Sequence, residues 1–229
     1  MAEGWSRRAL LVGLGGIGVG WTVGSATGAR AAMTMGEGKH SAGAPLEILC
    51  FGDSLTEGYM VDASASYPAL LQQRLRRRGL AHTVRNAGVS GATTGDGLLW
   101  MLEPAAARRP DLVILALGTN DAFMGVPPAE VEANLEAIIL RFAGIGAKVI
   151  LAAVRLPSFL SGEYGRRYHD IFPRLAEKYR LPLIPSFLEG VEGVEELNME
   201  DRIHPLPEGY RLILKNVWRV LAPELGEKE

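Results

Sequence analysis

From residue 46 onward, short apolar runs alternate with stretches in which apolar residues recur every three or four positions. LEILCF (46–51) reads as a strand. In SYPALLQQRLRRRG (66–79), Leu70, Leu71 and Leu75 share one helical face with arginines opposite, and Gly79 stops the helix. HTVRNAG (82–88) predicts a second, weaker strand. GDGLLWMLEPAAARR (95–109) predicts a helix kinked or broken at Pro104. DLVILALG (111–118) is almost continuously apolar, as a parallel strand buried on both faces must be. A helix follows at 127–144, with prolines at its start and Gly144 at its end. KVILAAV (148–154) predicts a strand, 168–180 a helix, LPLIP (181–185) a short strand and 207–225 a closing helix. Strand and helix in alternation imply a parallel sheet of about five strands with helices on both faces.

Such sheets bind ligands beyond the carboxyl ends of their strands, so the residues that follow each apolar run are the candidates for chemistry. The first run ends in Gly52-Asp53-Ser54, the second in Asn86-Ala87-Gly88 and the central one in Gly118-Thr119-Asn120-Asp121. Asp201 and His204 stand three residues apart just before the closing helix. A serine becomes a nucleophile when a histidine takes its proton and a carboxylate orients that histidine. Ser54, His204 and Asp201 are the right residue types for those three tasks. The oxyanion of an acyl transfer also needs donors, and the Ser54 N–H, the Gly88 N–H and the Asn120 side-chain amide are candidates. Asp53 and Ser54 also suit a plain helix cap, and Asn120 and Asp121 a plain turn. Asp121 reads as a cap or loop anchor. Ser90 lies in a glycine-rich loop and lacks the G-x-S-x-G elbow, because position 92 is alanine.

Composition narrows the field. The formal net charge is −2, so there is no basic excess and nucleic acid is not expected as a partner. Cys50 is the only cysteine, so there is no intrachain disulfide and no cysteine zinc cluster, and its apolar neighbours mark it as a small buried hydrophobe. The four histidines show no metal-ligand spacing. Residues 1–32 read as a signal peptide. Arg7 and Arg8 precede an apolar run from Ala9 to about Val23, and Ala29-Arg30-Ala31 is an A-x-A-like cleavage site. The arginine pair after Ser6 has the form of a twin-arginine signal. The run is short for a membrane span, so no stable insertion is expected after cleavage. Gly13, Gly15 and Gly18 spell G-x-G-x-x-G, but no strand precedes them and no amphipathic helix follows. Residues 33–45 read as a flexible linker and 46–229 as the folded domain.

The four blocks GDSL, Gly88, GTND and DRIH, in this order, resemble the SGNH (GDSL) hydrolase family. YMVDASASYPALL, NAGVSGATTGDGL and the stretch from Val154 to Tyr179 are similar to its bacterial thioesterase I, lysophospholipase and arylesterase group. The resemblance implies a flavodoxin-like three-layer α/β/α sandwich. It implies a serine esterase that cleaves carboxylic esters or thioesters through an acyl-enzyme, with a small-molecule or lipid ester as partner and with no metal or cofactor. It makes Ser54 the nucleophile, His204 and Asp201 the rest of the triad, and Ser54, Gly88 and Asn120 the oxyanion hole. Phe123 and Met124 would border the acyl pocket, sized for medium-length chains. Export to the periplasm or outside a bacterial cell would follow. Two positions depart from the pattern: Arg202 stands where a small residue such as glycine is expected, and Thr119 where relatives often carry glycine. A carbohydrate O-deacetylase of the same family and a non-catalytic flavodoxin-like binding module remain as alternatives.

Overall fold

The computed structural model describes residues 44–154 and 162–228; the expected signal segment and most of the expected linker lie outside them. Five parallel strands form one sheet, β1 (Glu47–Gly52), β2 (Thr83–Gly88), β3 (Leu112–Ala116), β4 (Lys148–Ala152) and β5 (Leu183–Ile184). Their spatial order is β2-β1-β3-β4-β5, the flavodoxin-like order. The expected fold class is therefore the observed one. β1 and β3 lie side by side, with Cys50 opposite Ile114 and Gly52 opposite Ala116.

Successive residues of each central strand point to opposite faces, which gives two cores. Ile48, Cys50, Ile114 and Ile150 face α2 (Tyr67–Arg77) and α9 (Pro207–Glu224), where Leu71, Leu75, Ile213 and Val217 are fully buried. Leu49, Phe51, Val113, Leu115 and Leu151 face α4 (Leu102–Ala107), α6 (Pro128–Gly144) and α8 (Ile171–Tyr179). Cys50 is fully buried, and burial pushes its thiol up to about 12, so it behaves as the apolar filler that its neighbours imply.

Three elements differ from the sequence expectation. The helix expected at 95–109 is three pieces: α3 (Thr94–Asp96), a π-helical turn at Gly97–Met101, and α4. Pro104 cannot donate and its ring presses on the carbonyl four residues back, that of Trp100, which lies in the widened turn. The helix expected at 168–180 starts earlier and breaks at Asp170, giving α7 (Glu163–His169) and α8. His169 thus ends one helix instead of standing near the start of another. Finally, the GDSL segment forms only one turn, α1 (Ser54–Glu57), closed by Gly58 at φ +91°.

That short helix sits directly on the strand ends. A Cβ at Gly52 would lie 2.2 Å from Thr56 Oγ1 and 2.5 Å from the Ala116 carbonyl oxygen. A Cβ at Gly88 would lie 2.2 Å from the Glu57 amide nitrogen. Neither position has room for a Cβ: Gly52 is closed off by the Thr56 side chain and the neighbouring-strand carbonyl of Ala116, and Gly88 by the backbone of α1. Gly52→Ala is expected to destabilise the domain by about 3 kcal/mol in chemical denaturation, since overpacking against a backbone carbonyl has no flexible neighbour to relieve it. A loss below about 0.5 kcal/mol would mean that α1 rides higher than it does in this structure.

Candidate active site

Ser54 opens α1 immediately beyond the carboxyl end of β1. Asp53 is the N-cap, and its Oδ1 accepts from the Leu55 N–H at 3.0 Å. Ser54 as a whole is buried, with 7% of its surface exposed. His204 reaches it from the loop before α9, with Nε2 2.9 Å from Ser54 Oγ. His204 Nδ1 lies 2.6 Å from Asp201 Oδ2. The loop that carries both is held shut at its base: Asn198 and Pro205 pair across it, the Met199 N–H donates to the His204 carbonyl and the Leu206 N–H to that of Leu197, each at 2.8 Å.

Asp201 turns the backbone as well as orienting the ring. Its Oδ1 accepts from the Ile203 N–H at 2.9 Å and the His204 N–H at 3.0 Å. Burial works to raise its pKa, but the bonds from the His204 ring and from these two N–H groups outweigh it and hold the carboxylate below its usual range. A carboxylate kept ionised at one imidazole nitrogen, with a serine hydroxyl at the other, is the arrangement that lets a serine lose its proton as it attacks. The structure thus brings together the three residues that the sequence singled out, across 150 positions of chain.

Asn120, the second residue of α5 (Thr119–Phe123), donates from Nδ2 to the Ala92 carbonyl at 2.8 Å. Its amide has a second proton to give. The turn it holds is pinned from the other side by α1, where the Glu57 carboxylate accepts from both the N–H and the hydroxyl of Ser90. Ser90 is thereby a strut. Gly91, at the tip of this turn with φ +80°, is exposed, and its N–H has no partner among the described residues. Gly88 is different from what the sequence suggests. Its N–H donates to Asn86 Oδ1 at 2.9 Å and its Cα lies beneath α1, so that donor is taken. Gly88 and Gly91 look alike in sequence, and only the packing of Glu57 and Ser90 separates them.

Asp121 anchors the wall behind this turn. Its carboxylate accepts from the Thr94 N–H at 2.8 Å and the Thr94 hydroxyl at 2.5 Å, tying α5 to α3. Phe123 and Met124 close α5 and are 38% and 71% exposed. Tyr59 was not singled out by sequence. Its ring lies 4.6 Å from that of His204, centroid to centroid, tilted by 42°.

Taken together, a doubly wound sheet that carries a serine, a histidine and a carboxylate in one hydrogen-bonded line at its carboxyl edge defines a hydrolase-type α/β domain. The chain belongs to the GDSL-like lipase/acylhydrolase family, whose model matches residues 50–212. An arylesterase of Vibrio mimicus is 37% identical over 179 residues, which is 78% of this chain and 90% of the relative. Esterase TesA of Pseudomonas aeruginosa is 37% identical over 182 residues, 78% of this chain and 89% of the relative. Among solved structures, the SGNH-hydrolase family esterase AlinE4 superposes with a TM-score of 0.66 at 37% identity, covering 81% of this chain and 99% of that one. A crystal structure of TesA gives a TM-score of 0.74 at 35% identity, over 77% of this chain and 98% of that one.

The buried Asp53 makes a pH signature. Burial raises its pKa to about 6, against the opposing pull of the Leu55 N–H, the Thr119 hydroxyl and His204. Neither Asp53 Oδ2 nor Thr119 Oγ1 completes a hydrogen bond, which is why that pull does not win. The folded state therefore holds this proton more tightly than the unfolded chain. Its contribution to stability is full below the ordinary value of 3.8 and is lost as pH rises through about 6. Asp53→Asn keeps the cap and removes the charge. Relative to the parent, its unfolding free energy is expected to gain about 3 kcal/mol between roughly pH 4 and pH 8. A difference that stays constant over that range would show that Asp53 is not held uncharged.

Proposed function

We propose that this protein is an exported serine esterase acting on carboxylic esters and thioesters. The observation that carries the reading is the unbroken line from Ser54 Oγ through His204 to Asp201, at 2.9 and 2.6 Å. Ser54 Oγ attacks the acyl carbon while its proton passes to His204 Nε2. Asp201 fixes the tautomer and steadies the imidazolium. The negative charge that forms on the carbonyl oxygen is met by the Ser54 N–H, by the free amide proton of Asn120 and, in place of Gly88, by the Gly91 N–H. The tetrahedral intermediate collapses, and the alcohol or thiol leaves with the proton from His204. Water then enters by the same route in reverse and frees Ser54.

The relatives named arylesterase and esterase support an ester as substrate, and another, the thioesterase 1/protease 1/lysophospholipase L1 of Escherichia coli, supports a thioester as well. Phe123 and Met124, exposed at the end of the helix that carries Asn120, support an apolar acyl pocket that favours a chain of medium length over acetyl. Octanoyl esters turning over faster than acetyl esters is the expected result, and the reverse order would favour a deacetylase. For export, the support is the arginine pair and apolar run at the N-terminus, which lie outside the described residues. Among the described residues no helix is long and apolar enough to cross a membrane.

A fluorophosphonate is expected to attach at Ser54, as read by peptide mapping, and Ser54→Ala is expected to fold while losing nearly all turnover. A folded protein that is not labelled would leave Ser54 as no more than the start of a helix. Asn120→Ala is expected to lower kcat by about 10²-fold or more with little change in KM, because an oxyanion donor acts in the transition state. Lysine at both Arg7 and Arg8 is expected to retain the protein in the cytoplasm; undiminished export would point to the general route.

A further inference from the structure

The two halves of an ester meet different parts of this site. The leaving oxygen or sulfur must receive its proton from His204 Nε2, so the leaving group lies beside the His204 ring. The protein surface there is Tyr59. Its ring covers one face of the imidazole at 4.6 Å, and the residue stays 38% exposed. Met60 follows, 77% exposed, and extends the apolar surface.

Tyr59 is also fixed with respect to the nucleophile. Gly58 turns the chain at φ +91°, and the N–H groups of Gly58 and Tyr59 both donate to the Ser54 carbonyl, at 3.1 and 3.2 Å. The backbone that carries the aromatic ring therefore hangs from the residue that carries the hydroxyl. Replacement of Gly58 is blocked twice, by the positive φ and by Ser66 Cβ at 2.7 Å from a would-be Cβ. This turn holds a partly exposed ring against the histidine that would serve the departing group.

We infer that Tyr59 is the wall of a leaving-group subsite, selecting esters and thioesters whose alcohol or thiol is aromatic or otherwise flat and apolar. When the intermediate collapses, the bond from acyl carbon to leaving oxygen breaks and its electron pair goes to that oxygen. The proton on His204 Nε2 follows, and the neutral alcohol departs along the Tyr59 face. Offset or edge-on packing of an aryl ring against Tyr59 favours it over an alkyl group of similar leaving ability.

The inference rests on the ester-hydrolase reading above, and one experiment separates the two. Phenyl acetate and 2,2,2-trifluoroethyl acetate share an acyl group and differ in the leaving group. The ratio of their kcat/KM values reports acylation alone. In Tyr59→Ala that ratio is expected to fall about tenfold or more. In Tyr59→Phe it is expected to hold, and the preference between phenyl acetate and phenyl octanoate is expected to be unchanged in both. Fluorophosphonate labelling at Ser54 in Tyr59→Ala confirms that the triad is intact. An unchanged ratio, with both esters slowed equally, would overturn the subsite and leave Tyr59 as a support for His204. Parent enzyme that neither turns over these esters nor labels at Ser54 would instead remove the reading beneath it.

Discussion

The structure depends on how closely α1 approaches the ends of β1 and β2. That approach is possible because Gly52 and Gly88 carry no side chain where the Thr56 side chain and the Glu57 backbone of α1 come down on the strand ends. With α1 pressed onto the sheet, Ser54 sits at the carboxyl edge, Asp53 is driven beneath it, and Glu57 comes within reach of the Ser90 turn. The Ser54 hydroxyl and the ring beside His204 thus both hang from one four-residue helix, and the turn that carries Gly91 leans on it. A short helix has little stability of its own. Here it is held by the sheet below and by the 89–92 turn at its side.

Two aspartates near this helix show how environment divides one residue type into two tasks. Asp53 is sealed under α1, one oxygen bonded to the Leu55 N–H and the other bonded to nothing, so burial prevails and its pKa rises. Asp201 lies in an open loop and collects two backbone N–H groups and the His204 ring, so hydrogen bonds prevail and its pKa falls. The acid that must stay ionised next to a histidine is the exposed one. The acid that lends shape to the nucleophile turn is the buried one. A carboxylate at Asp53 costs stability that the rest of the core has to supply, a burden often seen where backbone and polar groups are arranged for chemistry.

Much of this was legible in the chain. The apolar runs found the strands because parallel strands buried on both faces leave no polar alternation; Ser54 and Asn120 stood out because each follows such a run, Asp201 and His204 because they stand three apart before the closing helix. What escaped has physical reasons. The π-helical turn at Gly97–Met101 leaves no mark beyond a helical pattern that contains proline. Gly88 ends β2 and Gly91 lies three residues further on; their separate roles arise from contacts with Glu57 and Ser90 that join segments some 30 residues apart. Tyr59 opens a stretch that resembles the family, but nothing in that stretch marks the residue for chemistry. Its meaning comes from the left-handed turn at Gly58, which is visible in sequence only as one more glycine.

Arg202, the residue that departs from the family pattern between Asp201 and His204, is explained by the same backbone logic. For the N–H groups of Ile203 and His204 both to reach Asp201 Oδ1, the chain must curl back on itself, and residue 202 does so at φ +59°. Glycine adopts that region freely, whereas a residue with a Cβ loses roughly 1 kcal/mol. The hydrogen bonds of this turn, the paired ring of His204 and the closure between Asn198 and Pro205 over-determine the conformation, so the arginine accepts it. Its side chain is exposed, and the triad distances beside it are those of a formed hydrogen-bond chain. The substitution therefore leaves the catalytic geometry in place and adds a positive charge to the loop that carries His204. A charge there acts on the approach and departure of charged substrates and products.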